Sequence, residues 1–202
     1  MLNNMKLQIL SDLHIDSYAR QSHPVGHIPK TDADLVLVAG DTANSDKGMP
    51  WLQEQAARLE VPLITIAGNH EYFDEDVLSF DHKLATWDNY DTVSKKGVRV
   101  LQCQHIDIGD IRLLGCTLWT DYQYHANEDT MAAARHFMRD YKQIYAGNEL
   151  FSPEVSMQIH AEHRQWLQQA LIESHKLGKK TVVMSHHSVS ALSVSEKYAN
   201  LP

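Results

Sequence analysis

Cysteine is scarce in this chain: Cys103 and Cys116 are the two, and neither sits in a C-x-x-C pair. That excludes a disulfide framework and argues against a structural zinc site. It suits a reducing cytosol, with both thiols as small buried apolar groups. Long apolar runs are missing too, since none approaches the ~20 residues of a membrane span. The opening Met-Leu-Asn-Asn-Met-Lys has no apolar core, so no signal peptide is expected, and Met5 is an alternative start. Basic residues are outnumbered, with Lys+Arg 18 against Asp+Glu 26 and a formal net charge of −8. With no Lys/Arg stripe, a dedicated nucleic-acid binder is disfavoured. Neither G-x-G-x-x-G nor a phosphate-binding P-loop occurs, so no nucleotide cofactor is implied, and H-E-x-x-H is absent as well.

What is present is an alternation of strand and helix. A length of 202 residues suits one domain over 1–202 and a core that needs no covalent staples. Lys6–Leu10, Leu35–Ala39 and Leu63–Ala67 are apolar runs of strand length. The second, Leu-Val-Leu-Val-Ala, is the pattern of a strand buried on both faces. Helices are expected over about 48–60, with Leu52, Ala56 and Leu59 on one stripe, and over about 75–89, with Val77, Phe80, Leu84 and Trp87 inward. Val98–His105 and Ile111–Leu118 read as neighbouring strands around a turn at Gly109. Residues 119–151 show weak periodicity and are expected to form an irregular cap or lid. Ser152-Pro153 starts a long helix with Val155, Ile159, Trp166, Leu167, Ala170 and Leu171 on its apolar side, and Gly178 ends it. Thr181–Met184 is the last strand. Parallel units first and meander strands later predict an α/β layered sandwich.

Four of these strands share a feature. Each is followed at once by residues that bind hard or borderline metals: Asp12-Leu-His14, Gly40-Asp41, Gly68-Asn69-His70-Glu71 and His186-His187. In α/β sheets, ligands gather beyond the carboxyl ends of strands, so the four sets are expected to meet. Asp12 and His14, two apart, share a side if the backbone is extended. Gly40 and Gly68 allow a sharp turn and a close approach. A carboxylate such as Asp41 can bridge two cations, and imidazole with carboxylate suits Mn, Fe, Zn or Ni. Taken singly, each piece has a bland reading. D-x-H pairs are common, Gly-Asp makes turns, and a lone histidine is often a hydrogen-bonded core residue. Their order, each directly behind a strand, favours the site.

On these residues the chain resembles the calcineurin-like metallophosphoesterases. The resemblance implies a four-layer αββα sandwich of two mixed β-sheets and a dinuclear centre of divalent metal ions. By that likeness Asp12 and His14 bind the first metal, Asp41 bridges both, and Asn69 and His186 bind the second. His70 stands beside the scissile phosphate and is not a ligand, which makes Asp41, Asn69 and His70 the catalytic set. The implied activity is hydrolysis of phosphate diesters or monoesters by a hydroxide held between the ions. An acidic protein needs such ions to supply positive charge. Tyr72, Trp119, Asp121 and Tyr122 are candidate pocket residues, as are Phe73, Tyr124 and His125. The alternative is that the aromatics simply pack the lid onto the domain. His160 and His163 are read as surface or hydrogen-bonded core histidines.

The family pattern ends with Gly-His-x-His, which does not occur here; the sole Gly-His is Gly26-His27. Three ligands are left at each metal, Asp41 counted twice, and one sheet is expected to expose an edge. Three explanations stay open. The chain is shortened, a neighbouring subunit of a homo-oligomer completes the site, or His23, His27 or His187 substitutes. The ending Tyr198–Pro202 favours a shortened chain. Besides a phosphoester hydrolase, an inactive scaffold on the same fold and a nuclease are the competing functions, the last disfavoured by the acidic charge.

Overall fold

The computed structural model describes residues 5–20, 25–123 and 128–193. Strands β1 (Leu7–Leu10), β2 (Leu35–Val38), β3 (Leu63–Thr65) and β4 (Val98–Val100) form one parallel sheet in the order β1-β2-β3-β4. Between them run α1 (Ile15–Arg20), α2 (Met49–Leu59) and α3 (Phe80–Ala85). Strands β5 (Gln104–Ile108), β6 (Ile111–Cys116) and β9 (Lys180–Ser185) form the second sheet. There β5 is antiparallel to β6, and β6 is parallel to β9. Among the described residues the first sheet is purely parallel and the second is mixed.

The apolar run of β2 shows why the molecule is layered. Val36 and Val38 pack with Leu52, Ala56, Phe80 and Leu84 of α2 and α3. Leu35 and Leu37 face the other way, with Ile64, Ile66 and Leu101, onto Leu113 and Met184 of the second sheet. Burying each such side chain contributes about 1.5–3 kcal/mol. The far face of the second sheet is covered by α6 (Pro153–Lys176), giving the αββα sandwich that the resemblance implies, with the first sheet parallel where a mixed one was expected. β9 lies at the end of its sheet and pairs with β6 alone among the described residues. Cys103 is half-buried and Cys116 buried, both unpaired, and burial pushes the thiols up to about 12 and about 11.

Three expectations need correction. The run 98–105 is not one strand: Cys103 adopts a left-handed backbone (φ 47°), and the chain passes there from β4 in the first sheet to β5 in the second. The helix expected over 75–89 is confined to α3, because the preceding backbone is engaged elsewhere. Val77 N donates to Tyr145 O, Tyr145 N donates to Glu75 O, and Asp76 Oδ1 accepts from Leu78 N. The stretch after 119 is more regular than its periodicity suggests. It contains α4 (Glu128–Phe137), α5 (Asp140–Gln143) and a hairpin of β7 (Tyr145–Ala146) and β8 (Glu149–Leu150).

Helix α6 starts as predicted. Ser152 Oγ accepts from Val155 N (3.4 Å), Pro153 occupies the first turn, and Gly178 follows the end at φ 65°. Its buried face is more polar than expected: Ser156, His163 and Ser174 join Ala170 inside, while Leu171 is 39% exposed. The reason is the backbone after β6. Leu118 N donates to His163 Nδ1 (3.2 Å), Ser156 Oγ donates to Thr120 O (3.0 Å), and His160 Nδ1 lies 2.6 Å from Trp119 O. The helix spends polar side chains on satisfying an irregular buried segment. Among the described residues no helix is long and apolar enough to cross a membrane.

Candidate metal centre

The loops that follow β1, β2 and β3 are tied together by their own backbones. Asp12 N donates to Gly40 O (3.1 Å), His14 N to Asp41 O (3.0 Å) and Ile15 N to Thr42 O (2.9 Å). The buried Glu71 carboxylate joins the second loop to the third, accepting from Asp41 N (2.9 Å), Thr42 N (2.7 Å) and Gly68 N (2.8 Å). Burial, then the charge of Asp41, pushes Glu71 up to about 7. The approach is close enough to require glycine. A Cβ on Gly68 falls 2.2 Å from Asp41 Oδ1, and one on Gly40, at φ 86°, falls 2.5 Å from Gly68 N.

Asp12 (φ 55°), His14 (φ 44°) and Asp41 (φ 55°) all adopt left-handed backbone. Asp12 and His14 are therefore not aimed by an extended strand, as their spacing suggested. A strained loop brings them together, with His14 Nε2 4.0 Å from Asp12 Oδ1. Such backbone costs on the order of 1–2 kcal/mol per residue and persists where surrounding contacts over-determine it.

Asp41 is the hub, 3% exposed. Its Oδ2 faces His14 Nε2 (3.7 Å) and His70 Nε2 (4.0 Å), and its Oδ1 faces His186 Nε2 (3.5 Å). Two overlapping donor groups result, His14–Asp41–His70 and Asp12–Asp41–His186, each with ligand atoms within 4.8 Å of one another. Asn69 joins the second side, its Oδ1 lying 3.1 Å from His186 Nε2. Asp12, His14, Asp41, Asn69 and His186 thus converge, and His70 stands with them.

The donor chemistry fits divalent cations. His186 Nδ1 donates to Ala39 O (2.8 Å), and Asn69 Nδ2 donates to Asp140 Oδ1 (2.7 Å). The remaining atoms, His186 Nε2 and Asn69 Oδ1, present lone pairs to each other and require a cation or a proton between them. Asp41, Glu71 and Asp140 are all buried, and the ion pairs of Asp41 among the described residues are with histidines alone. Buried carboxylates without compensating charge are costly, and divalent ions offset that cost. Nitrogen and oxygen donors suit Mn, Fe, Zn or Ni.

His70 is fixed on three sides. Its Nδ1 donates to Asn44 Oδ1 (2.9 Å), its backbone N donates to Asp41 Oδ1 (2.9 Å), and its ring lies edge-on to His14 at 4.4 Å. Phe73 lies 4.2 Å from the ring, and the exposed Arg139 guanidinium stands 5.2 Å over Phe73. Burial lowers the His70 pKa, Asp41 opposes this, and His14 and Arg139 add to it.

The other predicted residues are dispersed. Tyr72 and Trp119 belong to the core, Tyr72 donating to Asp81 Oδ1 (2.6 Å). Tyr122 pairs through its hydroxyl with Tyr141. Asp121, 3.5 Å from His160 Nε2, lines a cavity of about 630 Å³ with Leu118, Leu167 and His187. His187 turns to Thr117 O (3.3 Å) and Trp119 and stands outside both donor groups. His27 contacts Gln55. His23, Tyr124 and His125 lie outside the described residues. Asn44 and Asp140 were not anticipated as parts of the centre, nor was the clamping role of Glu71. Their roles depend on contacts 26–71 residues away in sequence, although Glu71 is carried by the same tetrapeptide as Asn69.

A family model described as calcineurin-like phosphoesterase matches residues 5–200. No curated protein matches the chain. Among solved structures, the crystal structure of a phosphopantetheinyl hydrolase from Mycobacterium tuberculosis is similar. It superposes with a TM-score of 0.65 at 18% identity, covering 91% of this chain and 68% of that one. At that identity the likeness is one of fold.

Proposed function

As the chain belongs to the calcineurin-like phosphoesterase family, we propose that it hydrolyses a phosphate monoester or diester with two divalent cations. Asp12, His14 and Asp41 would hold one ion, and Asp41, Asn69 and His186 the other. The Asp41 carboxylate carries this reading, being buried with one oxygen toward His186 and the other toward His14. Such a pair supplies Lewis acidity, drawing charge off phosphoryl oxygens and lowering the pKa of an attacking water from about 15.7 towards about 7.

The chain's own groups supply position and proton traffic. The buried, strained loops fix the donors in advance, so little reorganisation accompanies substrate entry. His70, anchored at Nδ1 by Asn44, directs Nε2 into the space beside Asp41 Oδ2. Burial lowers the His70 pKa, so Nε2 carries a proton only once an anionic phosphoryl group beside it offsets that cost; it then donates to a phosphoryl oxygen or passes the proton to the leaving oxygen. Arg139, exposed on the rim, adds a guanidinium suited to an anionic substrate.

The test is metal content together with turnover of p-nitrophenyl phosphate and bis(p-nitrophenyl) phosphate with added Mn²⁺ or Zn²⁺. Metal-dependent hydrolysis is expected, and Asp41→Asn abolishes metal uptake and turnover together. A folded protein that turns over neither ester would instead be a scaffold, metal-poor if it also takes up no ion.

A further inference from the structure

Asn69 offers an ion only one suitable end, the carbonyl oxygen of its amide; the NH₂ end repels a cation. Nothing in the amide itself chooses between them, because the two ends have nearly the same size. Asp140 makes the choice. It is 3% exposed, and its Oδ1 accepts from Asn69 Nδ2 at 2.7 Å across 71 residues of sequence. An ionised carboxylate accepts and does not donate, so it admits only the NH₂ end. The oxygen is thereby turned to His186, 3.1 Å away.

Asp140 is itself held firmly. It begins α5, whose neighbours Tyr141 and Ile144 are buried. The segment is bonded to the chain just beyond Asn69: Asp74 N donates to Gln143 O (2.7 Å), and Tyr145 N donates to Glu75 O (2.9 Å). The same contacts that shorten the helix expected over 75–89 therefore fasten α5 against the centre.

We propose that Asp140 is a positioning residue of the metal centre, setting through Asn69 which end of the amide faces the His186 side. This rests on the two-cation reading above. It also gives α5, which carries no metal-binding motif, a place in the centre.

The experiment is a Co²⁺ titration followed by visible absorption and calorimetry on wild-type, Asp140→Ala, Asp140→Asn, Asn69→Ala and the Asp140→Ala/Asn69→Ala double variant. Asp140→Ala is expected to weaken one of two Co²⁺ equivalents by about 10–100-fold, the usual effect of losing a group that orients a ligand. The other equivalent should be nearly unchanged. Asp140→Asn keeps the volume but accepts either end of the amide, and weakens the same equivalent by less. In the Asn69→Ala background the Asp140 substitution should add nothing, since its effect runs through Asn69. If Asp140→Ala does not fold, Asp140→Asn serves in the same cycle. Wild-type affinity at both equivalents in the variants, or an equal loss with and without Asn69, overturns the proposal while leaving the two-cation reading intact. A wild-type protein that takes up no Co²⁺ overturns both.

Discussion

His70 is where residue chemistry divides most sharply. Its ring nitrogens lie close enough to His14 and Asp41 to be counted among metal donors, yet Nδ1 is committed to Asn44. If it acts on the phosphoryl group, His70→Ala keeps both cations and lowers kcat by about 10²–10⁴-fold, the range for a lost general acid. KM should change little. Metal analysis of the purified variant beside its steady-state kinetics checks this. A variant that loses an ion but keeps its turnover per bound metal would make His70 a ligand instead. The residues around it hold its position: Asp41 turns one oxygen to each side, and Glu71 fixes three backbone N–H groups that shape the loop beneath.

At the scale of elements, α6 makes a pH-dependent contribution to stability. His163 is 7% exposed and accepts from Leu118 N, so it must be neutral to do its work. Burial, and secondarily His160, lowers its pKa to about 4 from an ordinary 6.5. Between those values the unfolded chain binds a proton that the native state refuses. Stability from this group is therefore full above pH 6.5 and is lost as pH falls towards 4. The loss by pH 4.5 is roughly 2–3 kcal/mol. His163→Asn keeps an acceptor near the Nδ1 position without titrating there. Urea midpoints from pH 7 to 4.5 should fall less steeply in the variant than in wild-type, and parallel curves would contradict the assignment. The same helix marks the limit of what periodicity reveals. The strands were legible because a strand buried on both faces must be continuously apolar, and β2 is. The residues that converge on Asp41 were legible as candidates because they stand directly behind strand ends. The polar inner face of α6 was not, since it answers to the unpaired backbone at 118–120. Nor was the break at Cys103, since an apolar run looks alike whether it stays in one sheet or crosses to another. Asn44 and Asp140 carry no local signal at all; each matters through a partner reached only after folding.

For the molecule as a whole, the centre joins its two halves. Asp12, His14, Asp41 and Asn69 follow strands of the first sheet, whereas His186 follows β9 of the second. The sheets are packed through Leu35, Leu37 and Ile64 against Leu113 and Met184, and the His186 contact to Ala39 O continues that seam to the site. If the proposed cations are shared by donors from both sheets, they bind only when the sheets are stacked, and metal binding would be coupled to folding. At a free concentration of one hundred times the dissociation constant, one ion stabilises the native state by about 2.7 kcal/mol. For a chain of this size that corresponds to about 5–10 °C in Tm. Thermal melts with and without Mn²⁺ should show the rise, and EDTA should reverse it. His186→Ala should lose the part of the gain that depends on the ion shared between the sheets and keep the part from the ion held by Asp12 and His14. Equal gains in wild-type and His186→Ala would mean that the second sheet contributes nothing to holding metal, and the two halves are joined by apolar packing alone.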